Sequence, residues 1–469
     1  MTPAGPATVR SGHALVIGAS VAGLLAARAL GDTFSRVTVI DRDVLPDGPV
    51  PRRGVPQSRQ LHILLARGVE ALDELFPGFS EEMTAAGIPR GDAQVDLRTY
   101  LDGHLLRPAP SGIIVFSMSR PLIEHMIRTR VAALKGIEIV DSTDVLGLVT
   151  DTDRRRVTGV RVRRCADDAE ELTVDADLVV DASGRGSRAR VWLRELGYPQ
   201  PPTSNVRPDV VYVTRHYRRE PQHLNGHNGS AMVPFPGLPR GGGVLREEGG
   251  RFAVVLFGLV GEEPPLDDGG MKAYAETLSG PDAAEIIRSA RPLDEPVKMR
   301  YPASVRHHHE KLDRHLNGFL ITGDALCNFN PTYGQGMTVA ALEALLLRGL
   351  LADGTGDLAH RFFPAAAKVV DGAWFLAAGG DLRFPQIEGE RKAIDRLVGR
   401  YLDHYRAAAS VDPVLGASFI RVANMLDPPT RLLSPGHVFR VFRSARKAVR
   451  ASASRAEATG DITRPASPA

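Results

Sequence analysis

The chain has 469 residues, of which 43% are hydrophobic and 24% are charged. This composition predicts a soluble globular protein of more than one domain and excludes a collagen, a coiled coil and a disordered chain. The net charge of +3 provides no global field for nucleic acid, and two cysteines without a Cys-x-x-Cys pair exclude a disulfide framework and a Cys-rich zinc site. Such sparse cysteine use favours a reducing, cytoplasmic location.

The first predicted elements are a strand, a tight turn, a helix and a second strand. Residues 13–17 are an apolar run typical of a strand buried on both faces. The turn Gly18-Ala-Ser-Val-Ala-Gly23 and a helical stretch follow, and the apolar run Val37–Ile40 ends at Asp41. This order is that of a dinucleotide-binding βαβ unit, with a serine in place of the middle glycine of G-x-G-x-x-G.

Each residue of this unit has a physical role in such a site. Gly18 allows the tight turn, Ser20 leaves room for a pyrophosphate, and Gly23 lets the helix pack against the sheet. The free N–H groups of the helix N-terminus attract phosphate, and Asp41 is placed to accept hydrogen bonds from a ribose. The motif alone does not separate NAD from FAD, and a purely structural turn is the alternative interpretation.

A second signal lies far downstream. Residues 317–324 form an apolar strand that ends at Asp324, and Pro331, Gly334 and Gly336 precede a predicted helix at 338–351. A tight loop with exposed N–H groups before a helix suits partial negative charge, such as that at the N1–C2=O edge of a reduced flavin. A capped helix with a tight lead-in explains the loop alone, but not its pairing with the N-terminal βαβ unit.

With both blocks in place, the chain resembles the FAD-dependent monooxygenases of the p-hydroxybenzoate hydroxylase fold. Within them it is most similar to squalene epoxidases and bacterial polyether polyene epoxidases. The matching segments, which lie between residue 14 and about residue 350, are Gly18–Gly23, Asp41-Arg42, Gly54–Gln57, Asp181–Arg188 and Gly323–Met337.

The resemblance implies a set of residues that bind FAD. It places Gly18, Ser20 and Gly23 at the pyrophosphate, Asp41 at the adenosine ribose and Asp324 at the ribityl chain. The further cofactor-binding residues are Arg42, Arg53, Gln57 and Arg120, and the residues that shape the flavin site are Pro331, Gly334, Gly336 and Met337. Exposed loop or helix-start positions are the alternative interpretation of Arg53, Gln57 and Arg120. No metal and no obligatory catalytic acid or base is implied.

The implied fold is α/β: a Rossmann-like FAD-binding domain interleaved with an antiparallel β-sheet substrate domain, plus a C-terminal helical region. The FAD-binding domain is predicted at 11–84, 113–202 and 312–352. The substrate domain is predicted at 85–112 and 203–311. The helical region is predicted at 353–450, and a disordered tail at 451–469.

The implied activity is monooxygenation. FAD, reduced by NAD(P)H or by a partner reductase, forms a C4a-hydroperoxide with O2. One oxygen atom then passes to an electron-rich substrate by epoxidation or hydroxylation, as expected in secondary metabolism. The expected partners are an apolar or aromatic small molecule, O2 and a reductase, with no nucleic acid.

Several alternatives stay open from the sequence. Residues 183–187 replace the Asp-Gly-x-x-Ser segment of many relatives, which leaves NADH, NADPH and a reductase as electron donors. A reductase of isoprenoid double bonds and a non-catalytic flavin-binding protein are the alternative functions. Halogenation is disfavoured because Trp192 and Trp374 lie far apart and no W-x-W-x-I-P segment exists.

Three other features received a structural interpretation. Residues 438–450 predict a basic amphipathic helix whose apolar side, which holds Val438 and Phe442, packs on its own domain in preference to lying on a membrane. Residues 241–243, Gly-Gly-Gly, predict a hairpin loop. Residues 307–309, His-His-His, predict a solvated cluster, because neighbours on a strand point to opposite faces and do not share one ion.

Overall fold

The computed structural model describes residues 10–166, 169–391 and 393–444. Its strands, in chain order, are β1 Arg10–Ile17, β2 Phe34–Ile40, β3 Arg90–Asp92, β4 Leu97–Leu101, β5 His104–Leu105, β6 Ile114–Phe116, β7 Ile137–Val140, β8 Thr143–Thr150, β9 Val157–Arg164, β10 Glu171–Asp175, β11 Leu178–Asp181, β12 Thr203–Val206, β13 Val210–Arg218, β14 Gly229–Met232, β15 Arg240–Glu247, β16 Arg251–Gly258, β17 Val297–Tyr301, β18 Ser304–His307, β19 Phe319–Ile321 and β20 Cys327–Asn328.

Its helices with described bounds are α1 Val21–Leu30, α2 Ala66–Leu75, α3 Phe79–Ala85, α4 Arg120–Ala132, α5 Ala189–Glu195, α6 Asp268–Glu276, α7 Asp282–Ser289, α8 Gly336–Ala352, α9 Leu358–Asp381, α10 Ala393–Ala409 and α11 Pro413–Ala423. Residues 435–444 are also helical. The predicted tail at 451–469 lies outside the described residues.

A five-stranded parallel sheet forms the first layer, in the order β19-β11-β1-β2-β7. Its central strand is apolar on both faces, and Leu15 and Val16 are completely buried, as parallel strands covered by helices require. The strand β19 lies next to β11 although about 140 residues separate them in the sequence. The two strands of the βαβ unit, β1 and β2, and the distant strand β19 therefore end at the same edge of one sheet. The loop Gly323-Asp324, which we call the Gly-Asp loop, follows β19 at this edge.

A seven-stranded sheet forms the second layer, in the order β17-β13-β16-β15-β14-β4-β5. Its pairings are antiparallel except for the parallel pair β14–β4. The predicted α/β fold, with a Rossmann-like sheet, a mainly antiparallel sheet and C-terminal helices, is confirmed. We call this second sheet the roof sheet.

The prediction of a hairpin loop at residues 241–243 was wrong. The three glycines lie inside β15 and are buried. A Cβ on Gly241 would lie 2.5 Å from the ring of Phe257, and a Cβ on Gly242 would lie 2.6 Å from Leu278. At Gly241 and Gly242, side chains of neighbouring elements occupy the space that a side chain on β15 would need, so glycine at these two positions follows from close packing.

The described part of the C-terminal basic helix, residues 435–444, packs on its own domain as predicted, but it does not bury the predicted side. Val441 is completely buried, whereas Phe442 is 65% exposed. The helix is therefore rotated relative to the prediction, with one apolar residue inward and another outward. Within the described residues no helix is long and apolar enough to cross a membrane.

The histidine run does not form a metal site. His307 ends β18, and His309 begins the next short helical turn, so the side chains diverge. His309 is 2% exposed and stacks on Phe363, with ring centroids 4.9 Å apart. The expectation of a solvated cluster therefore fails for His309. Among the described residues, no group of three or more His, Cys, Asp or Glu side chains is arranged to hold a metal ion.

Candidate cofactor site

The turn after β1 can be built only with glycine at two of its positions. Gly18 has a φ of +101°, and a Cβ there would lie 2.7 Å from the carbonyl oxygen of Ala182. A Cβ on Gly23 would lie 1.8 Å from the carbonyl oxygen of Gly18. The chain therefore changes direction sharply after β1, and the first turn of α1 packs directly against the backbone of Gly18.

The N-terminus of α1 is not capped by its own side chain. Ser20 is the N-cap residue, yet its hydroxyl makes no capping bond. It accepts a hydrogen bond from Arg120 at 2.8 Å and lies 3.2 Å from Glu124. The first N–H groups of α1 are thus left for an external acceptor, and a helix N-terminus with free N–H groups favours a phosphate.

The N-terminus of α8 is built in the same way. Gly334 has a φ of +66° and ends a short helical turn, and the N-cap residue Gln335 makes no side-chain capping bond. A Cβ on Gly323 would lie 2.7 Å from the Cβ of Ala22, so the Gly-Asp loop packs against the start of α1. Two uncapped helix N-termini therefore open into one cleft.

Arg120 connects these two helix starts. Its guanidinium donates to the hydroxyl of Ser20 and to the sulfur of Met337, the latter at 3.2 Å. The residue is 4% exposed and pairs with Glu124 at 3.3 Å. Burial lowers its pKa and outweighs the opposing effect of Glu124. Ser119 caps the helix that carries Arg120 and so fixes its position.

A buried ion cluster that the sequence did not predict lies beside the turn. Arg52 pairs with Asp41 at 3.2 Å, with Asp43 at 2.9 Å and with Glu124 at 2.8 Å. Burial works against the charge of Arg52, but the carboxylates of Glu124 and Asp41 outweigh it and raise the pKa. The Nη2 atom of Arg52 is buried without a partner among the described residues.

Asp41 already has partners within the chain. Its Oδ2 accepts the N–H of Ala19 at 2.6 Å, and its Oδ1 accepts the N–H of Asp43 at 2.9 Å. These bonds hold the turn after β1 at the end of β2. Its contact with a ribose stays a prediction.

Asp324 differs from Asp41 in its hydrogen bonding. None of the described residues donates a hydrogen bond to its carboxylate. Burial raises its pKa, and the nearby Arg185 and Arg120 oppose that change. A partly buried carboxylate without donors from the described residues, in a cleft beside two helix N-termini, is suited to accept hydrogen bonds from the hydroxyl groups of a ligand.

His62 was not predicted, and it lies in the same cleft. Its Nδ1 is 2.8 Å from the carbonyl oxygen of Gln60, so Nδ1 carries the proton and Nε2 is free to accept. Burial, and then the charge of Arg120, lower its pKa to about 4. The imidazole is therefore neutral at physiological pH.

A buried hydrogen-bond network joins the loop at residues 329–335, which we call the flavin-site loop, to the roof sheet and to α9. The hydroxyl of Tyr212 donates to Asn330 at 2.6 Å. The carboxylate of Asp381 accepts from Asn330 at 2.9 Å and from Tyr333 at 3.1 Å. Burial raises the pKa of Asp381 to about 7, against the lowering effect of these donors.

A second buried carboxyl supports the Gly-Asp loop. Glu343 on α8 accepts from the hydroxyl of Thr322 at 2.6 Å and from the N–H of Gly323 at 2.7 Å. Burial raises the pKa of Glu343 to about 7. These bonds tie the end of β19 to α8 and hold the loop that carries Asp324.

The cleft brings together most of the predicted residues. Around it lie Gly18, Ser20, Gly23, Asp41, Arg120, Asp324, Gly334, Gly336 and Met337. Gln57 is partly buried in the short helical turn Pro56–Arg59, and Pro331 is exposed at the start of its turn. Arg42 and Arg53 are exposed on the surface. For all of them a contact with the cofactor stays a prediction.

These residues fit a dinucleotide with a flavin. The two uncapped helix N-termini suit the pyrophosphate and the electron-rich edge of the ring, and the carboxylate of Asp324 suits ribityl hydroxyls. The buried Nη2 of Arg52 is a further donor that lacks an acceptor. The donors and acceptors left open in the cleft are thus complementary to FAD.

Comparison with known proteins defines the class. A family model described as an FAD binding domain matches residues 12–228. The protein is a flavoprotein whose cofactor is FAD. It belongs to the family of Protein Rv3254 of Mycobacterium tuberculosis, to which it is 37% identical over 435 residues, covering 88% of this chain and 90% of that protein.

Solved structures support the fold. The flavin-dependent brominase Bmp2 matches with a TM-score of 0.66 at 16% identity, over 95% of this chain and 100% of that chain. A flavoprotein/dehydrogenase from Cytophaga hutchinsonii matches with a TM-score of 0.65 at 17% identity, over 94% and 100%. PqsL, a probable FAD-dependent monooxygenase from Pseudomonas aeruginosa, matches with a TM-score of 0.57 at 18% identity, over 80% and 98%.

Proposed function

We propose that this flavoprotein is a monooxygenase that transfers one oxygen atom from O2 to an electron-rich, apolar organic substrate. The observation that carries the proposal is that the roof sheet lies against the flavin-site loop and is hydrogen-bonded to it. Tyr212 of the roof sheet bonds Asn330 of this loop, and Gln60 accepts from Thr214 of the roof sheet at 2.6 Å. The site therefore lies between two layers that can keep water away from a reactive oxygen species.

The face of the roof sheet that carries Tyr212 has side chains suited to an apolar substrate. Val255 and Phe257 of β16 are buried there, with Leu61 packed against them. A Cβ on Gly243 would lie at ordinary contact distance, 3.4 Å from Val255 and 3.7 Å from Leu61, so this point of the face is less crowded than Gly241 and Gly242. An alkene or aromatic ring placed here would lie close to the flavin-site loop.

When bound, FAD supplies the electron transfer and the activation of oxygen. The chain contributes binding and orientation. The N-terminus of α8 stabilises negative charge at the ring edge, Arg120 does the same near the start of α1, and Asp324 orients the ribityl chain. The roof sheet excludes water and holds the acceptor.

Epoxidation of an alkene is the finer proposal, and it rests on the resemblance of sequence motifs alone. A phenol hydroxylase often uses a base that deprotonates its substrate. Burial raises the pKa of Tyr212 and of Tyr301, and both hydroxyls already donate hydrogen bonds, so neither acts as a base at neutral pH. With a pKa of about 4, His62 is a weak proton acceptor. An alkene needs no such base.

NAD(P)H or a partner reductase is the proposed electron source. A test separates the monooxygenase from a reductase of isoprenoid double bonds. The FAD-loaded protein is reduced chemically and mixed with polyene and aromatic substrates, with and without oxygen. We expect product only with oxygen. Equal turnover under strict anaerobiosis would establish the reductase instead, and no product from any substrate would favour a non-catalytic flavoprotein.

A further inference from the structure

The helix at residues 435–444 exposes two large aromatic side chains to solvent. Phe439 is 69% exposed and Phe442 is 65% exposed. The same helix is anchored on its other side, where Val441 is completely buried and Ser444 is 5% exposed. The aromatic pair, three residues apart, therefore projects from a fixed helix on one side of it.

The surroundings of this pair are apolar and basic. Val414 at the start of α11 is 45% exposed, and Leu433 is 39% exposed. A shallow groove runs along this surface and is lined by Val414, Arg431, Ser434, Gly436, His437, Phe439, Arg440 and Arg443. Single exposed apolar residues are common, whereas a cluster of them marks an interaction site, and this cluster lies next to arginines.

The sequence around this helix carries positive charge with almost no negative charge. Between Asp427 and Glu457 the sequence contains no acidic residue, although the whole chain has a net charge of only +3. The basic residues of this segment are Arg431, Arg440, Arg443, Arg446, Lys447, Arg450 and Arg455. Among the described residues, Arg440 lies 3.4 Å from Asp412, and no carboxylate pairs with Arg443. Of the described basic residues next to the aromatic pair, Arg443 therefore adds positive charge that no described carboxylate balances.

We propose that Phe439, Phe442, Arg440 and Arg443 form a docking surface for an anionic lipid membrane. Aromatic side chains on a helix insert at the level of the headgroups, and flanking arginines bind anionic lipids. Double-stranded nucleic acid would use the arginines but would leave the two phenylalanines exposed. The combination of exposed aromatic rings and unbalanced positive charge therefore favours a lipid surface.

The test uses the full-length, FAD-loaded protein and sedimentation with vesicles. One set is pure phosphatidylcholine, and the other contains about one third phosphatidylglycerol. We expect binding to the anionic vesicles only. The double variant F439S/F442S should bind at least about tenfold more weakly, and R440Q/R443Q should also bind more weakly. The control F375S removes a phenylalanine that is 43% exposed on α9 and should bind like the parent.

The outcomes are distinct from those for the oxygenase activity. Unchanged FAD content and melting temperature show that each variant is folded. Failure of the parent to bind anionic vesicles would overturn the proposal. Salt-sensitive binding that F439S/F442S leaves unchanged would also overturn it and would point to a polyanionic partner. Neither result bears on whether the protein transfers oxygen.

Discussion

Buried charge distinguishes the two halves of the cofactor cleft. Beside the turn after β1, Arg52 and its three carboxylate partners nearly complete one another's hydrogen bonds within the chain. At the end of β19, Asp324 has no donor among the described residues. The first arrangement stabilises the turn after β1 before the cofactor binds. The second leaves a partly buried carboxylate that can accept hydrogen bonds from a ligand.

Replacement of Asp324 by asparagine tests this distinction. Because burial raises its pKa, ionisation of Asp324 costs folding free energy at neutral pH, and the neutral amide removes that cost. We expect the cofactor-free variant to be as stable as the parent or slightly more stable. Hydrogen bonds to a charged group contribute about 1.5–3 kcal/mol, so FAD should bind roughly ten- to a hundredfold more weakly.

The measurements are chemical denaturation of the cofactor-free protein and fluorescence titration with FAD. Asp313→Asn on an exposed loop is the matched control and should change neither quantity. FAD affinity equal to that of the parent would contradict the placement of Asp324 at the cofactor.

At this scale the sequence does not indicate which of two neighbouring loop residues is buried. The sequence predicts Arg53, in the loop after β2, as a cofactor-binding residue, and that contact stays a prediction. The structure buries Arg52 and exposes Arg53. Irregular loops have no periodicity that distinguishes neighbouring residues. His62 could have been suspected only from its position in the same loop, since one histidine between apolar residues is more often a core residue.

The start of α8 shows how one element builds half of the site. Gly334 ends the preceding turn in the left-handed region, and the helix begins two residues later with free N–H groups. The direction of these N–H groups depends on the conformation of Gly334. The function of the loop is thus set by backbone geometry more than by side chains.

A pair of glycine substitutions on this element tests that dependence. At Gly334, alanine would hold a left-handed conformation at a cost of about 1 kcal/mol, and its Cβ would lie 3.2 Å from Ile63. We expect Gly334→Ala to lower both stability and FAD retention. Gly349 lies inside the same helix with open space at its Cβ, so Gly349→Ala should stabilise by about 0.5–1 kcal/mol and retain FAD. Loss of FAD from both variants would contradict this account.

Elements with a clear pattern were predicted well. The helix after the loop at Pro331–Gly334 was predicted at residues 338–351, and α8 spans Gly336–Ala352. Predictions failed where contacts with other elements determine the conformation of a segment or the side that it buries. The rings and methyl groups that fill the space around the glycines of β15 come from other elements, and the sequence does not show them. The helix at 435–444 has apolar residues on two faces, so periodicity did not indicate that Val441 would be the buried one.

The whole molecule is held together by pairings distant in sequence. The parallel sheet combines strands from the beginning, the middle and the later part of the chain. Local patterns predict each strand but not its neighbour, because pairing depends on contacts across hundreds of residues. The interleaved arrangement came from the resemblance between motifs. The domain boundaries at 84, 112, 202, 311 and 352 stay predictions.

Buried histidines make the folded state sensitive to acid. Burial lowers the pKa of His309 to about 3, below its ordinary value of 6.5. Between these pH values the unfolded chain binds a proton that the folded chain does not. Stability is therefore full above pH 6.5 and is lost as the pH falls, by up to about 1.4 kcal/mol per pH unit for one such group.

His309→Phe should flatten this dependence. The new ring can stack on Phe363, and the substitution removes a buried Nε2 that lacks a partner among the described residues. We expect the parent to lose more stability than the variant between pH 6.5 and 4.5, as measured by urea denaturation at several pH values. Parallel curves for the two proteins would show that the folded state tolerates the charged imidazole.

The central claim is that an FAD site beneath an apolar roof serves oxygen transfer to an apolar substrate. The most direct measurement is the mass of the product formed by the FAD-loaded, reduced protein with a polyene under ¹⁸O2. The account predicts a product that carries one labelled oxygen atom, with no label when the heavy isotope is supplied as water. Product that forms without oxygen, or that takes its oxygen from water, would contradict it.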